Sequence, residues 1–143
     1  MKPVIFLRIA SVLTFVHAIL HTVGGVFGQP APGPQQAAVA VMKANQFLLM
    51  GHTRSYWDFY MAMGLSVSIF LTAEALVFWQ LSSLARTDSL RLRPICATFA
   101  VGYLVFAVNS WRYFFVAPVI VEVLIALLLI AAIFTSQATP AHR

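Results

Sequence analysis

The stretch Pro118–Thr135 reads PVIVEVLIALLLIAAIFT, and it decides the class of this protein. Glu122 is its only charged side chain. A helix rises about 1.5 Å per residue, so this stretch is long enough to cross the roughly 30 Å hydrocarbon core of a bilayer. We interpret it as a membrane-spanning helix that begins at Pro118.

Three earlier apolar runs have the same character. They are separated by proline-rich, glycine-rich or charged connections, which break regular structure. The runs cover about 3–27, 57–84 and 94–111. Membrane β-barrels show alternating segments of about ten residues instead. The predicted fold is therefore all-α: an integral membrane four-helix bundle, formed as a single membrane domain over residues 1–143.

The segment of about 37–50 has a helical composition but carries Lys43, Asn45 and Gln46. It is too short and too polar to span the membrane. Between spans one and two in the chain we therefore predict a short extra helix, interfacial or re-entrant, that lies on the bundle.

Composition excludes the main soluble classes. Of 143 residues, 61% are hydrophobic and 9% are charged, against about 25% charged in an average soluble domain. The net charge of +5 comes from Lys and Arg that lie mostly between apolar runs, which is typical of topology signals and predicts no nucleic-acid partner. The single cysteine, Cys96, excludes an intrachain disulfide.

The basic residues also predict an orientation. With four spans, both termini share a side with the 86–93 connection. That side carries six basic residues and the other carries three, which favours both termini in the cytoplasm. The six are Lys2, Arg8, Arg86, Arg91, Arg93 and Arg143, and the three are Lys43, Arg54 and Arg112.

The direction in which each span crosses the membrane fixes the depth of its residues. Many polar side chains then lie in one layer at a similar depth, near the outer surface of the membrane. Ionisable groups inside a membrane normally face the bundle interior or water, so this layer predicts a polar pocket that opens outward. Its residues are His17, His21, His52, Arg54, Trp57, Asp58, Asn109, Arg112 and Glu122.

Two interpretations of this layer stay open. His17 and His21 are four residues apart and share a helix face, so they and Glu122 could form one interior network. A histidine can also simply join helices through a backbone carbonyl. Arg54, Asp58 and Arg112 could equally be interfacial charges. Ser55 is the expected N-cap of the second span.

On the inner side, Arg8 and Glu74 lie at similar depths once the arginine extends its side chain. We predict that they form an ion pair. The alternative is that Arg8 reaches the interface alone and Glu74 is protonated.

His17 and His21 would make a sound two-ligand geometry for a metal, with Glu122 or His52 as a third ligand. The sequence contains neither a His-Glu-x-x-His motif nor a Gly-x-Ser-x-Gly motif. Two histidines alone do not define a site, so we predict no bound metal and no cofactor.

Three motifs carry a resemblance over nearly the whole chain. They are His21–Gly25 (HTVGG), Met50–Tyr60 (MGHTRSYWDFY) and Ser110–Phe115 (SWRYFF) followed by Pro118. Together they resemble a bacterial family of small four-helix membrane proteins to which no activity is assigned. The resemblance implies an inner-membrane bundle and transfers no catalytic residue. The architecture is also similar to DoxX-like proteins.

Three functions remain open from the sequence. The leading hypothesis is a membrane protein whose outer polar pocket binds a lipid-like or small amphipathic ligand. The second is a membrane enzyme that uses His17, His21 and Glu122 for acid–base or metal chemistry. The third is a structural or accessory subunit whose polar groups fix helix packing.

Overall fold

The computed structural model describes residues 2–136, and in that range it contains five α-helices and one two-stranded hairpin. The elements are α1 (Lys2–Leu20), α2 (Pro34–Ala44), β1 (Gln46–Leu49), β2 (His52–Ser55), α3 (Tyr56–Leu84), α4 (Arg93–Tyr113) and α5 (Val116–Thr135). A π-helical segment, His21–Val26, continues α1, and a 3-10 turn, Leu90–Leu92, precedes α4. The prediction of an all-α helical bundle is confirmed.

Four of the helical stretches are long and apolar enough to cross a membrane: Lys2–Val26, Tyr56–Leu84, Leu90–Tyr113 and Val116–Thr135. Their outward faces carry large apolar side chains, with Phe134 80% exposed and Phe70 68% exposed. Such surfaces are unfavourable in water and expected against lipid. The chain is a multi-pass membrane protein.

Local sequence explains where several helices begin and end. Pro34 and Pro94 lie in the first turns of α2 and α4, where a missing N–H costs nothing. Asn45 ends α2 in an extended conformation, and its Nδ2 donates to the Val41 carbonyl at 2.8 Å.

The described chain divides into two compact units. Among the described residues, the four-helix unit contains 2–17 and 71–136, and the hairpin unit is Ala18–Phe70. The prediction of one domain over residues 1–143 stays a prediction.

In the four-helix unit, buried positions repeat at intervals of three and four residues. On α4 they are Cys96, Ala100, Tyr103, Ala107 and Ser110. This heptad spacing is typical of helix bundles, and small residues let membrane helices approach closely. The apolar core is formed by Leu7, Ala10, Phe78, Leu81, Ala85, Leu92, Cys96, Ala100, Tyr103, Ile125, Ala126, Leu129 and Ala132.

In the hairpin unit, the π-helical segment packs closely on α3. A Cβ built on Gly64 would lie 3.0 Å from a methyl carbon of Val26. Glycine at this position therefore permits the close approach of the two segments.

The predicted helix over 37–50 is wrong in its second half, where the antiparallel hairpin of β1 and β2 stands instead. Two consecutive positive φ angles, 48° at Met50 and 83° at Gly51, reverse the chain between the strands. Phe47 then stacks on Phe59, with ring centroids 5.7 Å apart. A helix cannot contain this turn, and the ring contact with α3 stabilises the strand conformation.

Candidate functional site

Two places in the described chain are candidate sites, and each lies within a single unit. The first is the interior of the four-helix unit, which we call the polar seam: Ser11, Thr14, Glu74, Tyr103, Ser110 and Glu122. The second is a cleft in the hairpin unit that is lined in part by Lys43 and Trp57, and we call it the Lys43–Trp57 cleft.

Tyr103 is the centre of the seam. It is 3% exposed, and its hydroxyl donates to Glu74 Oε2 at 2.7 Å. The same hydroxyl oxygen lies 3.4 Å from Thr14 Oγ1. The group thus connects α1, α3 and α4 through buried polar contacts. One turn earlier along α1, Ser11 donates to the carbonyl of Ala75 at 2.7 Å.

The other part of the seam joins α4 to α5. Ser110 is 2% exposed and Glu122 is 1% exposed, and the serine hydroxyl lies 2.8 Å from Glu122 Oε1. Within residues 2–136, the second carboxyl oxygen of Glu122, Oε2, has no hydrogen-bond partner. A buried carboxyl with a free oxygen is uncommon, because burying an unsatisfied polar atom costs free energy.

Arg8 and Glu74 have different partners instead of the predicted ion pair. The Arg8 guanidinium carbon lies 3.4 Å from the centroid of the Trp79 ring, and one of its nitrogens lies 3.5 Å from the Ser83 hydroxyl. Glu74 accepts the hydrogen bond of Tyr103. Similar depth is not enough to pair two side chains, since they must also point to the same side of their helices.

The two histidines are held differently. His17 is buried in the four-helix unit. His21 is half-buried in the hairpin unit, where Nε2 lies 3.1 Å from the Gly64 carbonyl oxygen and donates to it in the Nε2–H tautomer. For His21, this contact agrees with the interpretation that a histidine joins helices through a backbone carbonyl.

Within the described residues, no group of three or more His, Cys, Asp or Glu side chains could hold a metal ion. The described residues therefore supply no metal centre for the hypothesis of an enzyme that uses His17, His21 and Glu122.

Asp58 forms the capping structure that starts α3. Its Oδ2 accepts hydrogen bonds from the Ser55 amide at 2.7 Å and the Ser55 hydroxyl at 2.9 Å. The Asp58 amide lies 3.2 Å from Ser55 Oγ in return. This reciprocal pattern is a capping box with aspartate as its acid. It confirms Ser55 as the N-cap and gives Asp58 a structural role.

The remaining predicted pocket residues lie at the surface. His52 and Arg54 are exposed on β2, and Arg54 donates to the carbonyl of its neighbour Thr53 at 2.8 Å. Asn109 and Arg112 are exposed near the end of α4, where the Arg112 guanidinium lies 5.7 Å from the Tyr113 ring centroid.

The Lys43–Trp57 cleft opens between the 26–30 loop, α2 and the start of α3, all in the hairpin unit. Its volume is about 390 Å³, within the range of small-molecule sites. Lys43 Nζ lies 4.8 Å from the centroid of the Trp57 ring. The lining is formed by Val26, Phe27, Gly28, Gln29, Pro30, Gln36, Val39, Ala40, Lys43, Trp57 and Met61.

Of the residues predicted for a pocket, the cleft includes only Trp57. Lys43 is predicted from the sequence to lie on an interfacial helix, but its contact with Trp57 is not, because that contact depends on how the loop folds back. Tyr103 and Ser110 were missed as seam residues, although their seven-residue separation within a heptad pattern was a usable signal.

Comparison of this chain with models of protein families, with curated proteins and with solved structures finds no match.

Proposed function

We propose that this protein is a membrane protein that binds an anionic, lipid-like amphiphile in the Lys43–Trp57 cleft. The observation that carries the proposal is the position of the Lys43 ammonium, 4.8 Å from the Trp57 ring centroid at the wall of a 390 Å³ cleft.

The chemistry of the lining supports a ligand with two different ends. Lys43, Gln29 and Gln36 can donate hydrogen bonds to an anionic headgroup. Val26 and Met61 offer an apolar surface for a hydrocarbon chain. Trp57 lies in the first turn of α3, where the span begins, and tryptophan prefers this headgroup level. A lipid from the surrounding bilayer would reach such a cleft with no aqueous transfer.

The binding test uses the full-length chain in detergent with equal amounts of phosphatidylglycerol and phosphatidylcholine, read by native mass spectrometry. We expect preferential retention of the anionic lipid. Lys43→Gln removes a charge-assisted hydrogen bond and should weaken phosphatidylglycerol binding about tenfold or more, leaving phosphatidylcholine unchanged.

Arg54→Gln is the matched control, because Arg54 is an exposed cation of the same unit that does not line the cleft. Val39→Trp fills the cleft and should block both lipids. If Arg54→Gln weakens binding as much as Lys43→Gln, or Val39→Trp changes nothing, the lipid is held elsewhere and the proposal fails.

We also propose that the protein lies in the bacterial inner membrane with both termini in the cytoplasm. The six-to-three distribution of Lys and Arg supports this orientation, although Arg143 lies outside the described residues. Reporter fusions after the C-terminus and within the 29–36 loop should be active on opposite sides of the membrane. Activity on the same side would contradict the proposal.

A structural or accessory role is the second candidate, and specific contacts favour it. Polar side chains bond to backbone carbonyls across helices at Ser11–Ala75 and His21–Gly64, which is how polar groups hold membrane helices together. Under this role, neither lipid would be retained, and the cleft variants would behave like the unchanged protein.

A further inference from the structure

Glu122 lies in the four-helix unit and does not line the Lys43–Trp57 cleft. This side chain is 1% exposed. Its Oε1 lies 2.8 Å from the Ser110 hydroxyl, and its Oε2 has no hydrogen-bond partner among residues 2–136. An ionised carboxylate would accept several hydrogen bonds, and this one has a single hydroxyl within reach.

Four arginines of the same unit have other contacts. Arg8 stacks on Trp79, and Arg93 Nε donates to the Ile133 carbonyl at 3.1 Å. Arg91 pairs with Asp88 at 2.8 Å, and Arg112 lies over Tyr113. Glu122 therefore draws no charge compensation from them, and an uncompensated charge inside a membrane costs at least about 2.5–3.5 kcal/mol.

Protonation removes the uncompensated charge and leaves Oε2 as a neutral oxygen, with no heavy atom moved. As the structure stands, the Ser110 hydroxyl donates to Glu122 Oε1 at 2.8 Å. A neutral carboxyl group carries its proton on Oε1 and, once the serine hydroxyl rotates, donates it to Ser110 Oγ across the same distance. Oε2 then becomes a carbonyl-type oxygen, and a carbonyl oxygen without a partner is tolerated better than an unpaired charge. The serine hydroxyl keeps its own proton free to donate elsewhere.

We propose that Glu122 and Ser110 form a proton-binding site inside the membrane, with Glu122 as the proton carrier and Ser110 as its hydrogen-bond acceptor. Ionisable side chains inside membrane spans are rare, and proton relays of pumps and transporters are one of the uses to which they are put. The other titratable side chains with buried positions or seam contacts in this unit are His17, Glu74, Cys96 and Tyr103.

An apolar carbodiimide tests the proton directly, because it reacts with a protonated carboxyl group. The acid O–H adds across one N=C bond, giving an O-acylisourea that rearranges to an N-acylurea. No atom leaves, so the labelled peptide gains the mass of one reagent molecule. We expect dicyclohexylcarbodiimide to label Glu122 in the full-length protein, as located by peptide mass mapping.

Three comparisons make the result specific. A water-soluble carbodiimide with an added amine should convert the accessible Asp88, whose side chain is 47% exposed, to an amide, with the urea as leaving group, and leave Glu122 unlabelled. Glu74 is the matched membrane carboxyl, and we expect less label there because Tyr103 already donates to it. Glu122→Gln should lose the label at position 122 while any label at Glu74 remains.

Infrared spectroscopy gives a second readout that depends on no reagent. The carbonyl stretch of a protonated carboxyl group should be present in the unchanged protein and lost in Glu122→Gln. It should shift, without being lost, in Ser110→Ala, because the hydrogen bond to the serine is removed. A spectrum without this band, or apolar labelling that favours Glu74 over Glu122, would overturn the proposal.

Discussion

Arg8 carries its charge in the first span by stacking on an aromatic ring. Its guanidinium carbon lies 3.4 Å from the centroid of Trp79, and Glu74 accepts its hydrogen bond from Tyr103. An arginine over a tryptophan face is stabilised by roughly 0.5–2 kcal/mol, depending on how far the pair is removed from water. Aromatic side chains, Trp79 for Arg8 and Tyr103 for Glu74, therefore stabilise the two groups that were predicted to form an ion pair.

Double-mutant cycles separate these two arrangements. We expect Arg8→Gln and Trp79→Leu to be coupled by about 0.5–1 kcal/mol in the free energy of unfolding in mixed micelles. Arg8→Gln and Glu74→Gln should be additive. A coupling confined to Arg8 and Glu74 would restore the ion pair predicted from the sequence.

The sequence could place Arg8 and Glu74 along the membrane normal, but it could not give the direction of each side chain around its helix. Depth follows from counting residues at a fixed rise. The direction depends on which neighbouring helix fills the adjacent space, and that is a property of the packed unit. The same reason explains why Tyr103 was not predicted as the partner of Glu74.

At the scale of elements, α3 begins at a capping box in which Ser55 and Asp58 satisfy each other's backbone and side-chain groups. Replacing a capping serine with alanine typically costs 0.5–2 kcal/mol. We predict a loss of about 1 kcal/mol for Ser55→Ala, with faster amide hydrogen exchange in the first turn of α3.

Ser66→Ala is the control for this change. Ser66 is an exposed serine within the same helix, and its hydroxyl donates to the Ala62 carbonyl at 2.8 Å. Removing it should leave exchange in the first turn unchanged. Equal effects of the two variants would mean that the cap contributes nothing beyond an ordinary serine contact.

In the hairpin, by contrast, we predict a substitution that increases stability. Met50 is 94% exposed and has a positive φ of 48°, a conformation that asparagine adopts more readily than methionine. Met50→Asn creates the Asn-Gly pair favoured in two-residue hairpin turns. We expect it to stabilise the hairpin by a few tenths of a kcal/mol up to about 1 kcal/mol, whereas Gly51→Ala should destabilise it. Amide exchange in β1 measures both.

Composition and proline positions were enough to predict the helices of this chain, but not the hairpin. β1 is only Gln46–Leu49, and a short apolar run does not distinguish a strand from a helix. Its conformation is decided by Phe47 reaching Tyr56 and Phe59, about ten residues further along the chain. The Lys43–Trp57 cleft depends on a contact of similar separation.

In the molecule as a whole, a membrane helix faces its neighbouring helices on one side and lipid on the other. The inward positions of α4 are small or polar, from Cys96 to Ser110, whereas the outward positions include Val105 and Val108, which are 64% and 68% exposed. Lipid is as apolar as the side chains that face it, so tight packing rather than apolarity holds membrane helices together.

Two alanine substitutions test this difference. Ala126 is fully buried in the core of the four-helix unit, so Ala126→Leu should overpack it and cost about 1–3 kcal/mol. Ala97→Leu makes the same chemical change at an exposed position of α4 and should have little effect. Thermal unfolding in detergent measures both, and an equal loss of stability would contradict the assigned packing.

The heptad spacing of buried positions also has an evolutionary consequence. On the lipid-facing side of α4 any apolar residue serves, so that side can change freely over generations. At Ala100 and Ala107 a larger side chain would force the helices apart, and at Tyr103 and Ser110 the hydroxyl itself is used. In a library of all single substitutions, the tolerance to substitution should therefore rise and fall every three to four residues along this helix. Packing against neighbouring helices, rather than contact with the membrane, sets this period.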